Sequence, residues 1–251
     1  MDNRAQTPIN PRSVIKKEDG VLAYYFSAQV ANLIVRATRR LPLKPNHFTA
    51  ASLVLGLGAA YLFSVGTYEY LVAGIITLHV SFIFDCCDGQ LSRLKGLQSK
   101  MGHWFDYHSD KLKDAAVLFG FAYGAFIVSD KQIWWIFIAA FAAITFQFMR
   151  NITALNRDNF KLEQEGQKDA AHSPIASDSG SQLMRTLKHS VLFKLSDRVL
   201  LFTVFGLLNL AHVGVIVYAV LETFYALSSA VLAYRMFHRY DKKQVNQNHA
   251  D

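Results

Sequence analysis

Long apolar runs separated by short polar breaks dominate this chain of 251 residues. A helix needs roughly 20 apolar residues to cross a hydrocarbon core of about 30 Å. Six windows approach that length: His47–Tyr68, Leu71–Leu91, Gly102–Ser129, Gln132–Thr153, Val199–His212 and Gly214–Phe237, the fifth being the shortest. Upstream, "VLAYYFSAQVANLIVRATRRL" repeats Leu22, Phe26, Val30, Leu33 and Ala37 at helical spacing and ends in Arg36, Arg39 and Arg40. That pattern predicts an amphipathic helix lying in the membrane interface. Pro42 and Pro45 then break it, since each lacks a backbone donor. The predicted fold is an all-α membrane protein, six transmembrane helices preceded by an N-terminal interfacial amphipathic helix. Its parts are a polar tail over 1–20, the interfacial helix over 21–43, the six-helix region over 44–238 with a polar loop at 156–196, and a second polar tail over 239–251.

Charge adds an orientation. The net charge is +7, which by itself would fit nucleic acid. With both termini on one side, the three connections on the other fall near Val65–Tyr70, Ser129–Gln132 and Ala211–Gly214, and of the 26 Lys and Arg only Lys131 lies there. This positive-inside distribution predicts cytoplasmic termini and accounts for the basic balance through topology and anionic lipid, without nucleic acid. "MDNRAQTPINPRSVIKKEDG" has no apolar core and is not expected to be a cleaved signal. The adjacent Cys86 and Cys87 fall on the cytoplasmic side, where a structural disulfide is not expected.

Four acids interrupt the apolar pattern. Asp85 and Asp88 close the second window, and Asp106 and Asp110 open the third. Spacings of three and four place each pair within about 60° and about 40° on its helix. A short connection makes the two helices antiparallel neighbours, so all four carboxylates can converge. Their repulsion is relieved by a hard dication, and better by two; carboxylates with water suit Mg²⁺ or Mn²⁺. The third helix loses its charges only at Ala115, so the acids sit near the interface, within reach of water. Gly89 lets a ligand approach the backbone, Arg93 can grip a phosphate with two hydrogen bonds, and Gly102 leaves room one turn before Asp106. This set suits a nucleotide diphosphate.

In full, the stretch reads Asp85-x2-Asp88-Gly89-x2-Ser92-Arg93-x8-Gly102-x3-Asp106-x3-Asp110. It resembles the signature of the CDP-alcohol phosphotransferases at every spacing, with Ser92 where alanine is usual. "KPNHFT", Lys44 to Thr49, resembles the Pro-Asn-x-x-Thr start of that family's first span. The resemblance covers roughly residues 18–240. It implies that 44–238 is a catalytic domain in which an acceptor hydroxyl attacks the β-phosphorus of a CDP-alcohol and CMP leaves. It further implies two divalent cations, Mg²⁺ with Mn²⁺ as an alternative, held by Asp85, Asp88, Asp106 and Asp110, with Asp110 as general base. Gly89, Arg93 and Gly102 would meet the donor; Ser99, Asn46 and Thr49 match donor-contacting positions less strictly. CDP-diacylglycerol is the expected donor, a small polyol or amino-alcohol the expected acceptor, and a homodimer the expected assembly, in a bacterial inner membrane with the site facing the cytoplasm. "DGQLSRLKGLQSKMGHWFD" and "KKEDG" look nearest to the inositol-phosphodiester members, which keeps soluble CDP-inositol-type donors or inositol phosphate acceptors open.

Other residues carry weaker signals. Arg150 and Arg198 end spans on the cytoplasmic side, and a grip on an acceptor phosphate and a plain topological role weigh equally there. Asp114 reads as a partner of a nearby lysine or a cap on the site. His103, His108, Cys86 and Cys87 read as packing or supporting residues, and Glu222 as an intramembrane hydrogen-bonding group. An intramembrane prenyltransferase would need a second Asp-rich motif, which is lacking. A cation carrier would not require Gly89, Arg93 and Gly102 at these spacings.

Overall fold

The computed structural model describes residues 27–130, 132–169 and 195–248, and every ordered element among them is helical. The helices are α1 (Ala28–Thr38), α2 (Pro45–Val65), α3 (Tyr68–Lys95), α4 (Lys100–Val128), α5 (Ile136–Asp169), α6 (Leu195–Leu207) and α7 (Ala211–Asn248). The chain divides into two compact units, one of Met1–Ala140 with Lys194–Ile216, the other of Phe141–Phe193 with Val217–Asp251.

The helix ends of the first unit follow local chemistry. Pro45 opens α2, where its missing donor costs nothing. Gly66 and Gly96 close α2 and α3 in the left-handed region, at φ 81° and 64°, which glycine adopts without strain. Ser99 caps α4, its Oγ accepting from the Gly102 N–H at 2.9 Å.

Packing in this unit depends on close approach. A Cβ on Gly120 would lie 2.2 Å from the Ala60 carbonyl oxygen, and one on Gly124 would lie 2.1 Å from that of Phe63. The run "GFAYG" is therefore a small-xxx-small contact through which α4 rests on the backbone of α2. Phe63, Phe121 and Phe202 form the core beside it. The Phe121 ring meets those of Phe63 and Phe202 edge-on, at 5.2 Å in each case.

α1 packs on the end of α3 through Ala31 and Val35, against Cys87, Leu91 and Phe48. Asn32 Nδ2 donates to Gln90 Oε1 at 3.2 Å, and Gln90 Nε2 donates to the Ala28 carbonyl at 2.9 Å. Lys95 Nζ reaches the carbonyls of Leu41 and Leu43, both at 2.9 Å, and ties down the Pro-bounded link. The expected apolar stripe differs here. Leu33 points outward at 70% exposure, and the small face Ala28, Ala31, Asn32 and Val35 is buried, because only small side chains let α1 lie this close to α3. Residues 21–26 of the expected interfacial helix lie outside the described residues.

Several boundaries move. α5 starts at Ile136 and continues to Asp169, through the beginning of the expected 156–196 loop. Phe160 explains part of this, packing edge-on against Phe237 and Tyr240 at 4.9 and 5.0 Å within the second unit. Residues 170–194 lie outside the described residues. α6 ends at Leu207, five residues before the expected end of its window, and α7 starts at Ala211 and runs to Asn248 through most of the expected polar tail.

Four of the described helices are long and apolar enough to cross a membrane: Pro45–Val65, Tyr68–Lys95, Ile136–Ala154 and Ala211–Lys242. α4 falls short because Asp106, Asp110, Lys111, Lys113 and Asp114 crowd its first half. α6 has 13 residues, about 20 Å of helix. Large apolar side chains face outward on the spans, including Val54 at 69%, Ile76 at 61%, Phe141 at 67% and Phe224 at 62% exposure. That distribution suits lipid rather than water. The chain is an integral membrane protein.

Candidate metal and nucleotide site

The acids are positioned by α3 and α4, with α2 as their support. Asp85 and Asp88 lie in the last three turns of α3, and Asp106 and Asp110 in the first three of α4. Carboxylate oxygens of Asp85, Asp88 and Asp106 all lie within 4.8 Å of one another. Opposite ligands of an octahedral Mg²⁺ stand about 4.2 Å apart. The three acids therefore fit a small hard cation after a slight inward movement, and the all-oxygen set favours Mg²⁺ or Mn²⁺ over softer metals. Divalent metal use follows from this cluster.

Thr49 on α2 holds one of the three. Its Oγ1 donates to Asp88 Oδ2 at 2.6 Å, and both residues are buried. A hydroxyl in this place fixes the carboxylate's orientation, as supporting groups around metal ligands commonly do. Thr49, which the signature matches to a donor-contacting position, meets an acid of the cluster here.

Asp110 faces a different partner. The Lys113 ammonium lies 2.8 Å from Asp110 Oδ1 and 2.6 Å from Asp85 Oδ1. It donates as well to Ser52 Oγ at 2.8 Å. Its contact with Asp110 is an ion pair without good hydrogen-bond geometry, since that oxygen has no hydrogen-bonding partner. In the sequence nothing local sets Lys113 apart from the neighbouring Lys95 and Lys111. The missed signal is Gly56, which has no role in a lipid-facing span; a Cβ there would come within 2.7 Å of the Lys113 side chain.

The donor-side candidates fall into two local groups. A Cβ on Gly102 would meet Ser99 Oγ at 3.0 Å and Asn46 Oδ1 at 3.4 Å, so Asn46, Ser99 and Gly102 share one corner. Ser99 is engaged there as the α4 cap. The Arg93 guanidinium folds back over Gly89, 3.4 Å from where a Cβ would stand. Ser92, the one departure from the signature, turns its hydroxyl onto the Gly89 carbonyl of its own helix at 3.0 Å, and so leaves the site's shape alone.

The two arginines named for an acceptor phosphate each pair with a buried acid. Arg198 on α6 is buried and pairs with Asp114, which lies one turn after Asp110 on α4. Asp114, expected to meet a nearby lysine or to cap the site, thus has an arginine partner from α6. Beside the pair, a cavity of about 20 Å³ lined by Ser81, Lys113, Asp114 and Arg198 among others has room for about one water. Arg150 belongs to the second unit, where its Nη2 lies 3.1 Å from Glu222 Oε2 and both side chains are buried. His108 bonds the Trp104 carbonyl of its own helix at 2.8 Å, and Cys87 is a core residue.

The sequence of residues 43–176 matches the family model described as CDP-alcohol phosphatidyltransferase. An archaetidylinositol phosphate synthase of Pyrococcus horikoshii is 38% identical over 90 residues, 36% of this chain and 46% of that protein. One from Aeropyrum pernix is 28% identical over 94 residues, 38% of this chain and 47% of that protein. The matched stretches thus span about half the length of these relatives. Among solved structures, Mycobacterium tuberculosis phosphatidylinositol phosphate synthase with CDP-DAG bound superposes with a TM-score of 0.56 at 17% identity, over 83% of this chain and 94% of that one. The same enzyme in complex with manganese and citrate gives a TM-score of 0.56 at 16% identity, over 83% and 89%. These structures share the fold. The signature spacing, the three converging aspartates and the family match over more than half of the residues agree: this chain belongs to the CDP-alcohol phosphatidyltransferase family.

Proposed function

We propose that the protein transfers a phosphoalcohol group, most simply phosphatidyl, from a CDP-alcohol to an alcohol hydroxyl with release of CMP. The convergence of Asp85, Asp88 and Asp106 from two helices, with Asp110 one turn further on, carries this reading. The acceptor oxygen bonds to the β-phosphorus, the bond from that phosphorus to the bridging oxygen breaks, and the electron pair leaves with CMP. Asp110 takes the acceptor's proton. Arg93 and the Asn46–Gly102 corner hold the donor's phosphates and nucleoside, with Gly89 and Gly102 keeping the space open. Two divalent ions, Mg²⁺ or Mn²⁺, supply charge neutralisation on the attacking and leaving oxygens when bound at the four aspartates. The manganese-bound solved relative supports metal of this kind.

For the acceptor we favour a polyol phosphate of the inositol class. The support is the naming of both curated relatives and the similar solved structures as inositol phosphate lipid synthases. CDP-diacylglycerol is the proposed donor, in line with the CDP-DAG bound to the solved relative. Six spans with α4 and α6 among them, an interfacial α1, a homodimer, and a site on the cytoplasmic face of a prokaryotic cell membrane such as a bacterial inner membrane complete the proposal. The Lys and Arg distribution supports the orientation. The test is CMP release by purified protein in lipid nanodiscs with Mg²⁺, CDP-diacylglycerol and inositol phosphate. Release that requires all three is expected, and no release with any CDP-alcohol would overturn the reading.

A further inference from the structure

Lys113 is not accounted for by metal and donor alone. It is 5% exposed, and a buried ammonium is tolerated only where it is paired. Its stem runs beside Gly56, its Nζ rests on Ser52 Oγ at 2.8 Å, and it contacts Asp85 Oδ1 at 2.6 Å and Asp110 Oδ1 at 2.8 Å. Ser52 is itself held, its carbonyl accepting from the Ser81 hydroxyl at 2.7 Å. The lysine is thus built in by three helices and does not reach the site by chance from the surface.

Its partners divide the acids. Asp88 and Asp106, with Asp85, form the cluster of close oxygens, and a first ion seated there leaves Asp110 to the lysine. A second ion held between Asp85 and Asp110 would meet two carboxylates that Lys113 already contacts. Building on the metal reading above, we propose that Lys113 is an internal cation that competes with a second divalent ion for Asp85 and Asp110, so that the chain binds its two ions with unequal affinity. Without the second ion, the ammonium neutralises this end of the site. When the ion binds, the lysine must give up one or both carboxylates.

Mn²⁺ titration of purified, donor-free protein, with free Mn²⁺ followed by electron paramagnetic resonance, tests this. Wild type is expected to show a tight and a weak class of site. Lys113→Met keeps the stem and removes the charge; it should tighten the weak class about tenfold or more and change the tight class by less than about threefold, since only the weak class loses a neighbouring positive charge. Gly56→Ala, which crowds the stem, should move the weak class the same way by less. One ion on wild type and two on Lys113→Met is the same competition in its limit and supports the proposal. A weak class that is unchanged or weakened in Lys113→Met sinks it, as does a single ion on both proteins. If Lys113→Met is unstable without metal, melting with and without Mn²⁺ decides. A larger Mn²⁺-induced rise in Tm than for wild type supports competition, and an equal or smaller rise overturns it. Wild type that binds no Mn²⁺ at all fails the metal reading itself, and the proposal with it.

Discussion

Two stretches of the α2–α4 contact use glycine to opposite ends. Gly120 and Gly124 bring α4 onto the α2 backbone, where a Cβ would fall 2.2 and 2.1 Å from carbonyl oxygens. About two turns away, Gly56 holds the helices no closer; it makes room for the stem of a buried lysine instead. The first device produces dispersion and close packing and is deaf to pH and metal. The second makes room for one charge, and the groups that its ammonium contacts (Ser52, Asp85 and Asp110) are polar. The same residue type therefore marks a structural seam at one height of the bundle and a functional one at another.

The largest effect is expected at the seam of close packing. Gly124→Leu has no flexible neighbour that can yield, only the Phe63 carbonyl and the Gly66 backbone, so the helices must separate. The cost should reach about 3 kcal/mol or more, read as loss of folded protein in thermal melts in detergent, with Mn²⁺ unable to restore it. Full rescue by Mn²⁺ would mean that the two seams are not separate devices. At the polar seam, Thr49→Ala removes the hydrogen bond to Asp88. A loss of about tenfold in metal affinity is expected, with the melting point of metal-free protein nearly unchanged and Thr49→Ser restoring most of the binding. The smallest effect belongs to Ser92→Ala. Its hydroxyl bonds only the Gly89 carbonyl among the contacts described above, so stability should change by less than about 0.5 kcal/mol and CMP release by less than twofold, on the order of assay scatter. A larger fall in CMP release would show that the departure from the usual alanine is part of the site.

What the sequence could and could not convey follows the range of the interactions. α2 and α3 were legible because their apolar runs start after Pro45 and are separated at Gly66, residues whose backbone chemistry punctuates helices. The aspartate cluster was legible because its members lie on two consecutive helices at spacings of three and four. α5 beyond 156 reads as loop because "NRDNFKLEQEGQKD" has no strong apolar period, although its Lys, Glu and Gln are good helix formers. Phe160 is held by residues far along the chain. The Arg198–Asp114 pair, 84 positions apart, leaves no local trace at all. Lys113 was visible as a charge but not as a bridge, because its meaning depends on Gly56 of another helix and Asp85 of a third.

The polar site also bears on how the protein is made. Every residue from Asn46 to Lys113 that shapes it sits on three consecutive helices or, like Ser99, in the short links that join them, with Gly66 and Thr67 alone between α2 and α3. A nascent chain that has delivered α2, α3 and α4 into the bilayer already holds the whole set of acids together with the ammonium that offsets part of their charge. The site can therefore assemble during biosynthesis before the second unit exists, and before any divalent ion reaches it, because the chain carries its own first counter-charge.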